Sequence, residues 1–192
     1  MKPIFIAEIK TQSPFGFKSP HTFVELMEKA IAYGDWVSVH TNALWGGDYD
    51  AISFVRRNTG KNILAKGLHT TDDDIRRALD HGADYVLTVD HVPYKPELRD
   101  KCLLEIHNIH ILEWNLEHTP HFTSQKFVIN SRDLRYGTTS NKYDLLASYG
   151  ILDKMKWTCQ ASGIRTVADV RHDVQAFIVG EHLMDFCDYN KL

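Results

Sequence analysis

Glu8 and Lys10 stand two residues apart in the run Ile4-Phe5-Ile6-Ala7-Glu8-Ile9-Lys10. On a β-strand that spacing turns both side chains to the same face. The rest of the run is apolar, the pattern of a strand buried on both faces in a parallel sheet. An acid and a base on the inner face of such a strand are costly unless they are paired or used. Asn130 and Arg132 repeat the device after Phe127-Val128-Ile129, Lys66 closes Asn62-Ile63-Leu64-Ala65, and Glu105 closes Leu103-Leu104. Two lysines, an arginine, two carboxylates and an amide on one rim would hold an anionic substrate and supply a proton donor and an acceptor. A buried salt-bridge network is the alternative for any one of them. Six such residues at strand ends of the same sense favour a site.

These residues need a scaffold that brings strand ends together. Short apolar runs near 3-10, 35-39, 62-66, 84-89, 102-107, 126-130, 156-160 and 175-179 alternate with amphipathic stretches. Phe23, Leu26, Met27 and Ile31 form one helical stripe, and Ile52, Phe54 and Val55 a shorter one. Thr70 or Thr71 before Asp72-Asp73-Asp74 predicts a helix start, as does Thr166 before Val167-Ala168-Asp169. Gly82-Ala83-Asp84 reads as a helix terminus running into a strand. Eight such units in a row predict a (β/α)8 TIM barrel forming a single domain over residues 1-192. At about 24 residues per unit it must be trimmed below the roughly 250 residues usual for this fold. The fifth unit, with its histidines and Pro120, is the weakest. An open doubly wound sheet is the alternative, but no Gly-rich dinucleotide loop is present.

The composition is that of an ordinary enzyme domain. With 192 residues, 43% hydrophobic, the chain can bury one full core. A net charge of −3 gives no surface for nucleic acid or membrane, so any anion site must be local. No apolar run approaches membrane-spanning length, and the N-terminus enters a strand without a signal-peptide pattern. Cys102, Cys159 and Cys187 are odd in number and widely spaced, which fits a reducing, cytoplasmic setting. His107, His110, His118 and His121 include two His-x-x-His spacings, yet no carboxylate or cysteine pattern completes a metal site. Trp114 and Trp157 read as packing residues, and Arg56-Arg57 as the solvated end of a helix.

The last two units carry a second signal. Ser162-Gly163-Ile164 follows strand seven, and Val179-Gly180-Glu181-His182 leads into the final helix. Phosphate sites in these barrels use those two loops, where glycines expose backbone N–H groups. Ser13, after strand one, can add a hydroxyl.

Taken in order, these segments resemble the indole-3-glycerol-phosphate synthase family from Ile4 to about Asp185. Ala7-Glu8-Ile9-Lys10 with Ser13-Pro14, and Ile129-Asn130-Ser131-Arg132-Asp133-Leu134, carry most of the likeness. Ser162-Gly163-Ile164 and Phe177-Ile178-Val179-Gly180 with Leu183-Met184 extend it, and Ile63-Leu64-Ala65-Lys66 and Leu104-Glu105-Ile106-His107 fit looser patterns. The resemblance implies ring closure on 1-(o-carboxyphenylamino)-1-deoxyribulose 5-phosphate with loss of carbon dioxide and water, and no cofactor or metal. It implies that Lys66 is the general acid on the ketone and Glu105 the acid or base of the dehydration. Lys10 would lie near the substrate carboxylate with Glu8 as its partner, Asn130 would position the intermediate, and Arg132 would anchor substrate. Ser13, Ser162, Gly163, Gly180 and His182 would form the phosphate grip. The expected partner is a small phosphorylated substrate, and the expected state a monomer or weak homo-oligomer.

Several positions depart from the family. Ala161 stands where a glutamate precedes Ser-Gly, and Glu181-His182 follows the strand-eight glycine where a serine is common. Thr11 and Gln12 replace basic residues, and Gly67 and Leu68 replace an acid and an aromatic. The helical extension that precedes strand one in the family is not seen before Ile4, so a shallower, wetter pocket is expected. Trp45 with Gly46-Gly47 matches a family loop that covers the aromatic end of substrate, or else anchors the loop on the barrel. These changes leave room for another sugar-phosphate enzyme of the same barrel group, or for a non-catalytic phosphometabolite-binding barrel.

Overall fold

The computed structural model describes residues 2–119 and 122–190. Eight parallel strands close into a barrel in sequence order. They are β1 (Ile4–Ile9), β2 (Trp36–His40), β3 (Asn62–His69), β4 (Tyr85–Val89), β5 (Cys102–Glu105), β6 (Lys126–Asn130), β7 (Trp157–Ala161) and β8 (Ala176–Val179). Between and after them run α1 (Phe23–Tyr33), α2 (Tyr49–Arg56), α3 (Asp72–Asp80), α4 (Pro96–Arg99), α5 (Ile109–His118), α6 (Lys142–Ser148) and α7 (Leu183–Tyr189).

Strand parity sorts the core. Phe5, Ala7, Ile9, Val37, Val39, Ile63 and Ala65 pack outward against Leu26, Met27, Ile52, Ile75 and Phe186 of the helices. Ile6, Leu64, Leu103, Val128, Cys159, Ala176 and Ile178 form a separate cluster inside the barrel. Two residues beyond six of these come Glu8, Lys66, Glu105, Asn130, Ala161 and Gly180. A two-residue step keeps the same face, so five of the six form the layer above a packed apolar plug, while Ala161 is still packed within it. That layer is the mouth.

The trimming falls on the helices. The fourth is one turn, Pro96–Arg99, and the segment after β7 is only a 3-10 turn, Val167–Asp169, where the sequence predicted a helix. Thr166 does supply the predicted cap, because Asp169 closes a capping box on it. Thr71, not Thr70, caps α3 in the same way with Asp74. The weak fifth unit holds a true helix, started by Asn108, whose side chain accepts from the His110 amide; Pro120 and His121 lie outside the described residues. β5 stops at Glu105, two residues short of expectation, because Asp90 captures the amides of His107 and Asn108. Three side chains correct their sequence reading. Arg56 is no solvated helix end: it reaches the Gly82 and Lys61 carbonyls and pairs with Asp84. Trp114 packs nothing in the core, being 59% exposed and stacked on His118. Trp157 does pack against the barrel interior.

Candidate active site

Glu8 is the hub of the mouth. Its Oε1 lies 3.1 Å from Lys66 Nζ and 2.5 Å from His40 Nε2. Burial would raise the Glu8 pKa, but Lys66, His40 and Lys10 hold it well below the usual carboxylate range. Burial also works against the Lys66 ammonium, yet Glu8 and Glu105 outweigh it and raise the lysine pKa. Lys66 therefore carries its proton at neutral pH. His40 goes the other way: burial lowers its pKa despite the attraction of Glu8. Trp45 stacks on the His40 ring at 5.7 Å and lines the mouth. It thus anchors its loop and forms a wall of the cavity together.

A second chain of contacts runs along β5, β6 and β7. Asn130 Nδ2 donates to Glu105 Oε1 at 2.9 Å, and Ser162 Oγ donates to Asn130 Oδ1 at 2.7 Å. Ser162 reaches that position with φ of 69°, a left-handed conformation uncommon outside glycine, followed by Gly163 at 75°. Strain of this kind persists only where the surroundings hold it. On the far side of Glu105, His107 Nε2 lies 2.6 Å from Oε1. Burial would raise the Glu105 pKa, but His107, Lys66 and Asn130 together lower it, so the resting group is a carboxylate.

The β8 loop contributes the least expected contact. Glu181 accepts from Lys10 Nζ at 2.8 Å and from Arg132 Nη1 and Nη2 at 2.5 and 3.0 Å. Both cations beyond Lys66 that the sequence assigned to a substrate anion are thereby held by an internal carboxylate. Three cations, Lys10, Lys66 and Arg132, meet three carboxylates, Glu8, Glu105 and Glu181. Lys10 has a lowered pKa because burial, with repulsion from Lys66, outweighs Glu8 and Glu181. Burial opposes the Glu181 charge, but Arg132 and Lys10 pull its pKa down to about 2.

Ser162, Gly163, Gly180, Glu181 and His182 line a pocket of about 200 Å³ together with Lys10, Lys66 and Arg132. Gly180 is required there, since a Cβ would collide with the Glu8 carboxylate. Ser13 is not among the residues that line the mouth or this pocket; its hydroxyl accepts from the Phe15 amide and shapes its own loop. Gly67 is set by crowding from Thr41 and His69, and Leu68 beside it opens onto the mouth.

The depressed carboxylates make stability depend on acid. A carboxylate whose pKa falls on folding stabilises the fold above its unfolded value and loses that contribution as pH drops through the folded one. For Glu181 the window runs from 4.5 down to about 2, and Glu8 shifts in the same direction. Thermal melts by circular dichroism are expected to show Tm falling progressively across that window. Glu181→Gln should flatten part of the fall.

The sequence profile of the family described as indole-3-glycerol phosphate synthase matches residues 1–192. The chain belongs to that family. It is a carboxy-lyase family of tryptophan biosynthesis. A protein of Campylobacter concisus (strain 13826) named indole-3-glycerol phosphate synthase is 27% identical over 193 residues, 93% of this chain and 73% of that one. Among solved structures, KGPDC from Streptococcus mutans superposes with a TM-score of 0.61, covering 94% of this chain and 88% of the other. At 13% identity that likeness establishes the barrel alone.

Set against the family expectation, the structure brings Glu8, Lys10, Lys66, Glu105, Asn130, Arg132 and Ser162 into one mouth and leaves Ser13 aside. It adds His40, which the sequence reading missed although it closes Trp36-Val37-Ser38-Val39 just as Lys66 follows the run Asn62-Ile63-Leu64-Ala65. It also gives His107 two neighbours the sequence did not assign, Glu105 and Lys142, while His110 faces Glu113 on the surface.

Proposed function

We propose that this chain closes the indole ring of 1-(o-carboxyphenylamino)-1-deoxyribulose 5-phosphate, releasing carbon dioxide and water. One observation carries the reading: a lysine kept protonated by Glu8 shares a mouth with a buried, hydrogen-bonded carboxylate, Glu105. The Lys66 ammonium donates to the ketone oxygen as the aromatic ring attacks, stabilising the charge that develops there. Loss of the substrate carboxylate then restores aromaticity. The new hydroxyl leaves as water, with Glu105 as acid or base. Lys10 and Arg132 face the substrate anions, Asn130 orients the intermediate, and Ser162, Gly163, Gly180 and His182 hold the phosphate. Protonating a ketone from an ammonium needs neither cofactor nor metal. The partner is thus a small phosphorylated molecule and not a nucleic acid or membrane, and the working form a monomer or weak homo-oligomer. A cytoplasmic setting is supported by three free, buried cysteines, and no helix among the described residues is long and apolar enough to cross a membrane.

A second reading is favoured by Glu181. With Lys10 and Arg132 already paired, the mouth suits a substrate carrying fewer charges, as another sugar phosphate of the same barrel group would. Incubation with the anthranilate-derived ribulose phosphate separates the two. Growth of indole fluorescence proportional to enzyme is the expected result. A flat trace at saturating substrate would give the mouth to the second reading.

A further inference from the structure

We propose that Lys142 and His107 form a relay that delivers one proton per turnover from a solvent groove to Glu105. The relay rests on the ring-closure reading. In that reaction a substrate carboxylate leaves as carbon dioxide and a ketone oxygen leaves as water, so each cycle consumes one proton from solvent. Glu105, only 1% exposed, cannot collect it directly.

The geometry supplies a route. His107 lies between two partners: Nε2 is 2.6 Å from Glu105 Oε1, and Nδ1 is 2.5 Å from Lys142 Nζ. A lysine ammonium can only donate. Nδ1 must then be the acceptor and Nε2 must carry the hydrogen, which points at Glu105. The ring is held in this attitude by its backbone, because Asp90 Oδ1 accepts from the His107 and Asn108 amides at 2.6 and 2.9 Å. Asp90 does so with φ of 49°, left-handed and not glycine. Lys142, at the start of α6, is half-buried and faces a groove of about 690 Å³ that it shares with His107, Asp90, Asp133 and Arg135.

The transfer balances. As the hydroxyl departs, His107 passes its Nε2 proton to the Glu105 carboxylate, which hands it on to the hydroxyl and returns to its resting, ionised form. Nδ1 takes a proton from Lys142, whose neutral amine then takes one from water in the groove. His107 ends in the opposite tautomer and resets by ring rotation or by exchange with solvent between cycles. Charges facing the relay are Glu105 and, across the barrel, Lys66; Asp90 at the end of β4; and Asp133 and Arg135 on the β6 loop. Burial lowers the Lys142 pKa in spite of Glu105, Asp133 and Asp90, which eases release of its proton.

Replacing Lys142 with Met and with Arg tests the relay. Lys142→Met should lower kcat about tenfold or more with KM little changed, since general acid–base transfers contribute roughly 10²–10⁴. Added methylamine should restore part of the rate, and the fall of kcat at high pH should move. Lys142→Arg keeps the charge and the hydrogen bond but does not release its proton, so it should remain slow. Wild-type kcat in the Arg variant, or an unchanged kcat in the Met variant, would overturn the relay. If the wild-type protein closes no indole ring, the ring-closure reading has failed and the relay is read by ¹⁵N NMR of labelled histidine instead. A neutral His107 with hydrogen on Nε2, whose Nδ1 resonance moves in Lys142→Met, supports it; the Nδ1–H form, or resonances indifferent to Lys142, refutes it.

Discussion

Lys66→Ala is expected to lower kcat/KM by about 10²–10⁴, the largest loss of any single change in the mouth. Lys66 lies between Glu8 and Glu105, which raise its pKa against burial, whereas burial lowers the pKa of Lys10. Its neighbours in the mouth do not replace it, because Lys10 and Arg132 are tied to Glu181 and burial lowers the His40 pKa. The fold should survive. Lys66 lies above the apolar plug formed by Leu64 and its neighbours, and Glu8 keeps its contact with His40 at 2.5 Å after the lysine is gone. Lys66→Met preserves most of the stem volume and should show the same kinetic loss with a smaller fall in Tm. Steady-state indole fluorescence and thermal melts on both variants decide the matter. A loss below about tenfold in both would remove Lys66 from the chemistry. Glu105→Gln offers an independent check: the amide keeps the shape beside Asn130 but cannot transfer a proton, so binding should persist while rate is lost.

How far the site was legible depended on whether its geometry was local. The mouth layer was readable because strand parity is a local rule: Ile6 and Glu8, Leu64 and Lys66, Leu103 and Glu105 each lie two residues apart on one strand. The same rule applied to Trp36, Ser38 and His40, but Ser38 and a histidine lack the sharp contrast of a charge closing an apolar run. His40 went unread for that reason. The boundaries of β5 and of the segment after β7 were misplaced because capping groups outside the strand decide them, Asp90 in one case and a short Thr166–Asp169 box in the other. Non-local pairs were not legible at all. Arg56 finds Asp84 across 28 residues and Lys142 finds His107 across 35. Glu181 stood out in sequence as an acid beside a proposed phosphate, yet its grip on Lys10 and Arg132 needs three loops, from β1, β6 and β8, to converge.

Glu181→Ser is expected to tighten binding of the anionic substrate, lowering KM about tenfold, while making the protein less stable. The charge balance explains both effects. The carboxylate neutralises two cations that would otherwise face an incoming carboxylate or phosphate, and the site must displace it or tolerate its repulsion. Two unit charges about 4 Å apart interact by about 4 kcal/mol at an effective dielectric of 20, which sets the ceiling of the gain. Freed Lys10 and Arg132 recover water, which offsets most of that, so about 1.4 kcal/mol, or tenfold, is the expected remainder. The same release leaves two partly buried cations without their partner, and Tm should fall by several degrees in the absence of ligand. Inorganic phosphate should then restore more Tm in the variant than in the wild type, because a ligand that binds only the folded state stabilises according to its affinity. The opposite pattern has a definite meaning. If KM rises and phosphate no longer protects, Glu181 is itself a contact for the natural ligand, holding Lys10 and Arg132 in place around a hydroxyl-bearing substrate. Calorimetric titration of both proteins with phosphate, beside the kinetics, would assign the carboxylate to one role or the other.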